Sequence, residues 1–321
     1  MKLAAAAVSL ALGLMGAAAA HAQSDFPSRP ITLVVTQAAG GGMDAIARFV
    51  GRKLSDTLGQ SVVIENRPGG AENVAISSVA KANPDGYTVL ICSNSITINP
   101  SLYKNIPYDA KKDLRPIGRV GSSPLLIVTQ ASEPYRDLKE MAAFAKANPT
   151  KLSYGSPGTG TAHHMSMELI KSATGAPIQH IPYRGAAPGM NDLLAGVIPL
   201  YVASAQAAEP HIKTGKVRAL VTISKARLPQ LGDVPTLGEA LPGVEVESWM
   251  AMFAPAATPD AAANKLSDAL KTVLNDPEVA AQMQRLGTIP RWLSPAELKE
   301  TMAKDEARWA AVIKEAGIKV D

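Results

Sequence analysis

The chain is 321 residues long, with 32 basic and 28 acidic side chains and a formal net charge of +4. Aromatic residues make up only 4% and the Lys and Arg positions are scattered, so the basic stripe with stacking rings that nucleic acid requires is missing. A single cysteine, Cys92, excludes a scaffold held by internal disulfides.

Lys2, the small apolar run Leu3 to Ala20 and the triplet Ala20-His21-Ala22 have the form of a secretory leader cleaved before Gln23. Residues 1–22 are therefore set apart from the fold. The alternative, a membrane anchor, would use a run at the short limit for spanning. About three hundred residues remain, which favours two domains. An exported chain without disulfides points to a bacterial periplasm.

Ile31 to Val35 is an unbroken apolar run rich in β-branched residues, the pattern of a buried parallel strand. The loop Thr36-Gln37-Ala38-Ala39-Gly40-Gly41-Gly42 follows. Met43, Ile46, Ala47, Val50, Leu54 and Leu58 then recur at helical spacing, and Gly59 supplies the stop. The pattern predicts a strand over 62–64, a small-residue helix over 71–82, a turn at 83–86 and a strand over 87–92 that buries Cys92. Residues 93–115 read as loop, with Pro100 and Pro107. A strand at 125–129 and a helix at 136–147 lead to a second alternating block. Its strands are 151–153, 178–181, 199–203 and 217–223, and its helices 162–173, 187–195 and 207–214. After a turn-rich stretch, a strand over 248–254 leads into helices at 259–275, 277–286 and 295–317, each with Pro near its start. Trp249 and Phe253 read as core or hinge packing.

Each block thus opens with a strand, a loop of small residues and a helix. The second loop is Tyr154-Gly155-Ser156-Pro157-Gly158-Thr159-Gly160-Thr161, ahead of Ala162-His163-His164. The first N–H groups of a helix lack internal partners and carry partial positive charge, so such a junction suits an anion. Gly158 and Gly160 admit a ligand to the backbone, and Ser156, Thr159 and Thr161 add hydroxyls. In open α/β sheets ligands bind at the carboxyl ends of strands, which puts both loops on one side.

Three enzyme motifs compete with that reading. Gly40-x-Gly42-x-x-Ala45, with Glu65 ending the next strand, partly matches a dinucleotide fingerprint, but Thr36 to Ala39 intervene after the strand. Gly155 and Gly160 have P-loop separation, yet Thr161 stands where Lys is needed. Tyr154 replaces the first Gly of a serine-hydrolase elbow. His163 and His164 point apart on a helix, and neither has metal-ligand spacing to another His, so no metal is expected. The loop Tyr183-Arg184-Gly185 and the pair Ser93-Asn94 complete the polar positions at strand ends.

In order along the chain, Pro30–Val35 with Ala39–Asp44, Val63–Gly70, Asn83–Thr88, Tyr154–His164, Pro182–Gly185, Gly215–Leu220 and Asp233–Thr236 resemble the Bug-type substrate-binding proteins of tripartite tricarboxylate transporters. The resemblance covers nearly all the mature chain. It implies an α/β, two-lobed periplasmic-binding-protein fold of type II (Venus flytrap), each lobe a mostly parallel sheet flanked by helices. Lobe 1 is then 24–123 with 225–321, and lobe 2 is 124–224. It also implies capture, without chemistry or cofactor, of a small carboxylate held by backbone amides and bridging waters, with membrane permease subunits or a sensor kinase as partner to a monomer. The candidate ligand-binding residues are Gln37, Ala38, Ala39, Gly40, Gly41 and Gly42, then Ser93 and Asn94, then Ser156, Gly158, Thr159, Gly160, Thr161 and His164, then Tyr183, Arg184 and Ala203. Ala203 stands where the resemblance places a frequent acid. A ligand ammonium would need such an acid, so a carboxylate without an amine is expected, unless Asp44 turns inward.

Overall fold

A computed structural model describes residues 26–244 and 246–318. The expected leader lies outside the described residues. The first sheet has six strands, β1 (Ile31–Val35), β2 (Val62–Asn66), β3 (Thr88–Ser93), β4 (Leu114–Ser122), β10 (Trp249–Pro255) and β11 (Ile289–Pro290), in the order β11-β4-β10-β3-β1-β2. The second sheet has five, β5 (Leu125–Gln130), β6 (Ser153–Ser156), β7 (Gln179–Pro182), β8 (Leu200–Ser204) and β9 (Val217–Ile223), in the order β7-β6-β8-β5-β9.

β1 is parallel to both β2 and β3, with Thr32 opposite Val63 on one side and Thr88 on the other. Its all-apolar sequence suits that position between two neighbours. β2 lies at the sheet edge and leaves Val63 exposed. Parallel pairing repeats in the second sheet between β6 and both β7 and β8. The strands flanking the two chain passages, β4, β5, β9 and β10, pair antiparallel, so both sheets are mixed.

The chain first passes between sheets at Ser123-Pro124 and returns after β9. The two passages are stitched together, since Ser123 N donates to Ser248 O at 2.9 Å. Leu228 and Leu237 pack into the apolar clusters of the second sheet. The stretch between β9 and β10 therefore packs in part on the second sheet.

Helix α1 (Gly42–Leu58) buries Ile46, Val50 and Leu54 on the first sheet and ends on Gly59 in the left-handed region. Helix α2 (Asn73–Ala80) is shorter than expected, because residues 70–72 form a separate 3-10 turn with Ala71 and Glu72 at positive φ. Helix α3 (Ser95–Leu102) occupies the stretch that read as loop. Pro100 lies late in it, and burial of Ile96, Ile98 and Leu102, each worth about 1.5–3 kcal/mol, outweighs a lost hydrogen bond. β4 was also hidden in the sequence. Pro116 sits where its register with β10 shifts, and a side chain at Gly121 would meet Ile289 O of β11 at 2.5 Å.

Around the second sheet lie α4 (Leu138–Ala147), α5 (Ala162–Thr174), α6 (Ala186–Ala195), α7 (Ala205–Lys213) and the short α8 (Leu237–Ala240). The chain closes with α9 (Asp260–Leu274), α10 (Pro277–Arg285) and α11 (Pro295–Glu315). A capping box between Ser294 and Glu297 starts α11, which packs on α3 and β4 of one lobe and on α5 of the other. Trp309, Val312 and Ile313 join Ile98 and Leu102 in the apolar cluster of the second sheet. Trp249 anchors the same helix by donating from Nε1 to Asp305 Oδ2 at 2.6 Å. Among the described residues no helix is long and apolar enough to cross a membrane.

Candidate functional site

The first loop lies at the carboxyl end of β1. Gly41 caps α1 without a side-chain bond, and Ala45 N makes the first return bond, to Gly41 O. The N–H groups of Gly42, Met43 and Asp44 therefore precede any intrahelical acceptor. Ala38, Ala39, Gly40 and Gly42 are exposed. Asp44 does not face the gap. Its carboxylate accepts from Gly40 N at 2.9 Å, Arg48 Nε at 3.0 Å and Asn66 Nδ2 at 2.9 Å. Burial opposes its charge, but these donors hold its pKa below the usual carboxylate value.

Sequence reasoning missed Glu72. Its buried carboxylate accepts from Gln37 Nε2 at 3.1 Å, Ser93 N at 3.0 Å and Ser93 Oγ at 2.8 Å. From the 3-10 turn that follows β2, Glu72 thus ties together the carboxyl ends of β1 and β3. The signal available was an acid two residues after Gly69-Gly70, but the run read as a small-residue helix. This bond fixes Ser93 at the carboxyl end of β3, with Ser95 Oγ at 2.8 Å. Asn94 is buried and turned toward the hinge, where its Nδ2 reaches Glu247 O at 3.4 Å.

The second loop rests on a stack of rings. Tyr154 stacks on His180 at 4.8 Å and His180 on His164 at 4.0 Å. Each ring captures part of the loop or its support. His180 Nε2 meets Ser156 Oγ at 2.7 Å, and Gly160 N donates to His164 Nδ1 at 3.1 Å. Tyr154 Oη donates to Glu168 Oε1 at 2.6 Å, and Lys171 Nζ pairs with the same carboxylate at 2.8 Å. Ser156 and His164 are therefore buried supports of the loop. Gly158 N, Ser156 Oγ and Thr161 Oγ1 are likewise engaged within it. Thr159, whose side chain has no hydrogen bond among the described residues, and the N–H groups of Ala162 and His163 at the start of α5 remain open.

Burial, helped by the charge of Lys171, lowers the His164 pKa to about 4, and burial lowers that of His180 to about 3. Both sit below the ordinary 6.5. From pH 6.5 downward the unfolded chain takes up protons that the folded stack refuses, so stability falls with pH across that window and is flat above it. Denaturant midpoints should drop between about pH 7 and about pH 5, and His180→Phe should flatten the drop. An unchanged slope in the variant would show that other groups carry it.

The loops meet residues of the opposite lobe. A side chain at Gly160, where φ is +79°, would lie 2.5 Å from Leu102 Cδ2 and 3.7 Å from Tyr103 Oη. A side chain at Gly42 would lie 3.7 Å from Gln206 Oε1, in the first turn of α7. Tyr103 and Gln206 were not anticipated, since both sat in stretches read by their backbone signals alone. A cavity of about 700 Å³ opens beside Gln206 between α7 and α10, though none of the Gly-rich loop residues lines it. Burial, aided by the hydrogen bond that Tyr183 donates to Asp192 Oδ2 at 2.7 Å, pushes the Tyr183 pKa up to about 12. Arg184 is exposed and makes no hydrogen bond or ion pair among the described residues. Ala203 lies in the apolar cluster under α6 and α7, so its side chain belongs to the core. Among the described residues no cluster of His, Cys, Asp or Glu could hold a metal ion.

Two sheets joined by two stitched passages, with two strand-to-helix loops facing the opposite lobe, define a two-lobed α/β solute-binding protein. Residues 46–318 match the tripartite tricarboxylate transporter family receptor, and the chain belongs to that family. It is similar to the solved periplasmic binding protein BugD, at 35% identity over 92% of this chain and 99% of that one, with a TM-score of 0.81. Similarity to Rpa4515 of R. palustris, solved with adipate, is 34% over 92% and 99% of the two chains, with a TM-score of 0.84. MatC of Rhodopseudomonas palustris, solved with bound malate, is 30% identical over 90% and 100%, with a TM-score of 0.79. The family is one of receptors rather than enzymes, which removes the dinucleotide-dependent reading.

Proposed function

We propose that the protein is exported to the periplasm with its leader removed near Ala22, captures a small organic carboxylate without an amine, and delivers it to the permease of a tripartite transporter. The observation that supports this most is the pair of helix N-termini, those of α1 and α5, each with open N–H groups at a loop facing the other lobe. Such groups neutralise a carboxylate without a counter-cation. The adipate and malate bound by the two relatives are of the same chemical class. Gln37 to Gly42, Ser93, Thr159 and the start of α5 would hold the ligand, with Tyr183 and Arg184 at its rim.

The acids near the gap are already occupied. Asp44 is turned back onto Gly40, Arg48 and Asn66, and Glu72 holds Gln37 and Ser93. An ammonium brought against them would have to displace those donors. A thermal-shift panel tests the reading by pairing succinate with aspartate and glutarate with glutamate, with adipate and malate alongside. At about a hundred times its dissociation constant a ligand adds roughly 2.7 kcal/mol. The plain acids should give the larger shifts; consistently larger shifts from the amino acids would show that Glu72 or Asp44 accepts an ammonium.

A further inference from the structure

A cavity of about 470 Å³ lies at the hinge, away from both Gly-rich loops. Its walls come from β4, from both ends of the second passage between the sheets and from α11. The charges around it are unequal. Arg119, Lys225, Arg291, Lys304 and Arg308 line it, against the acids Glu247 and Asp305. Arg119 pairs with Glu247 at 2.5 Å and Arg308 with Asp305 at 3.5 Å. Lys225, Arg291 and Lys304 are exposed and have no ion pair among the described residues.

A second observation comes from the buried wall. Arg119 is only 2% exposed, and its Nε–H has no partner among the described residues. A buried guanidinium donor without an acceptor is costly and rare in native structures. Its Nη2 is shared by Ser122 Oγ and the Glu247 carboxylate, which fixes the guanidinium on that side. A cavity with one buried, under-used cation and, at its rim, three cations that form no ion pair among the described residues focuses positive potential on a small volume.

We propose that this hinge cavity is a second binding site, for a small oxyanion carrying two or more negative charges, such as phosphate or a tricarboxylate. Multiple charge follows from the excess of lining cations over lining acids, five against two among the described residues, which a monoanion would leave largely uncompensated. The site touches both lobes, because Ser224 and Thr236 belong with the second sheet while Arg119 and Arg291 belong with the first. It also reaches the ligand side, because Glu247, which pairs with Arg119, gives its backbone carbonyl to Asn94. An anion seated there braces the hinge at the point where both passages run.

The test is a calorimetric titration of the leader-free chain with inorganic phosphate and with citrate, beside the same titration with adipate. Phosphate and citrate should bind more weakly as salt is raised. Lys225→Glu with Lys304→Glu should weaken both by about tenfold or more, while adipate binding is kept. Both lysines are exposed and form no ion pair among the described residues, so the double variant should fold, with a melting transition in anion-free buffer close to the parent's. A double variant that binds phosphate and citrate as tightly as the parent overturns the site, as does an absence of phosphate and citrate binding. Should Gly42→Val rather than the lysine changes remove phosphate binding, the anion occupies the cleft and the hinge assignment falls. Failure of adipate alone to bind would count against the proposed carboxylate cleft and leave the hinge result standing.

Discussion

Replacing Gly42 with valine is expected to weaken carboxylate binding by roughly ten- to a hundredfold while leaving the fold intact. The position opens α1, where backbone geometry is ordinary for any residue, and an added Cβ would meet only Gln206 Oε1 at 3.7 Å. The valine methyls would stand over the N–H groups of Gly42 and Met43 and in the gap that α7 faces. Losing one or two hydrogen bonds to a charged ligand costs about 1.5–3 kcal/mol each, before any hindrance to lobe closure. Gly160 makes a poorer probe. Its positive φ alone would cost a side chain about 1–2 kcal/mol, and Leu102 blocks the same space, so a binding loss there would mix with a folding loss. A Gly42→Val protein that binds carboxylates like the parent would remove α1 from the site.

The largest loss of stability is expected from Arg119→Met, at about 3 kcal/mol or more. Arg119 is buried on β4, donates to Ser122 Oγ at 2.6 Å and pairs with Glu247. Burial alone would raise the Glu247 pKa, but the guanidinium outweighs it and holds the group below the usual range. Removing one member of such a pair leaves the other charge unpaired, which typically costs 3–5 kcal/mol; the 17% exposure of the Glu247 side chain places this case at the lower end. Arg119→Met with Glu247→Leu should recover most of the loss, because an apolar pair of similar volume desolvates no charge. Urea midpoints of the single and double variants check this. A double variant no more stable than Arg119→Met would show that Arg119 acts through packing rather than through the ion pair.

The legibility of this fold followed backbone signals. β1, α1 and the Gly59 stop were readable because apolar periodicity and a left-handed glycine coincide there. α3 and β4 were not. Pro100 breaks the local helix rule, and Pro116, Gly118 and Arg119 break the strand rule, while the packing that overrides them comes from α11, β10 and β11. The site divided in the same way. Gly-rich strand-to-helix loops announce open N–H groups, so the first and second loops could be found from sequence. Which loop atoms are already spent could not, because that depends on long-range partners: His180 for Ser156, Glu72 for Ser93, Glu247 for Asn94. The inward face of Ala203 likewise depends on which side of β8 meets α6 and α7.

The claim on which the rest depends is that the gap between the two loops takes a carboxylate without an amine. Mass spectrometry of the small molecule released from natively purified protein tests it most directly. The account predicts an organic acid, aliphatic or aromatic, bearing no amino group and present near one equivalent in protein that retains ligand. Release of an amino acid, a sugar or a nucleotide would contradict it.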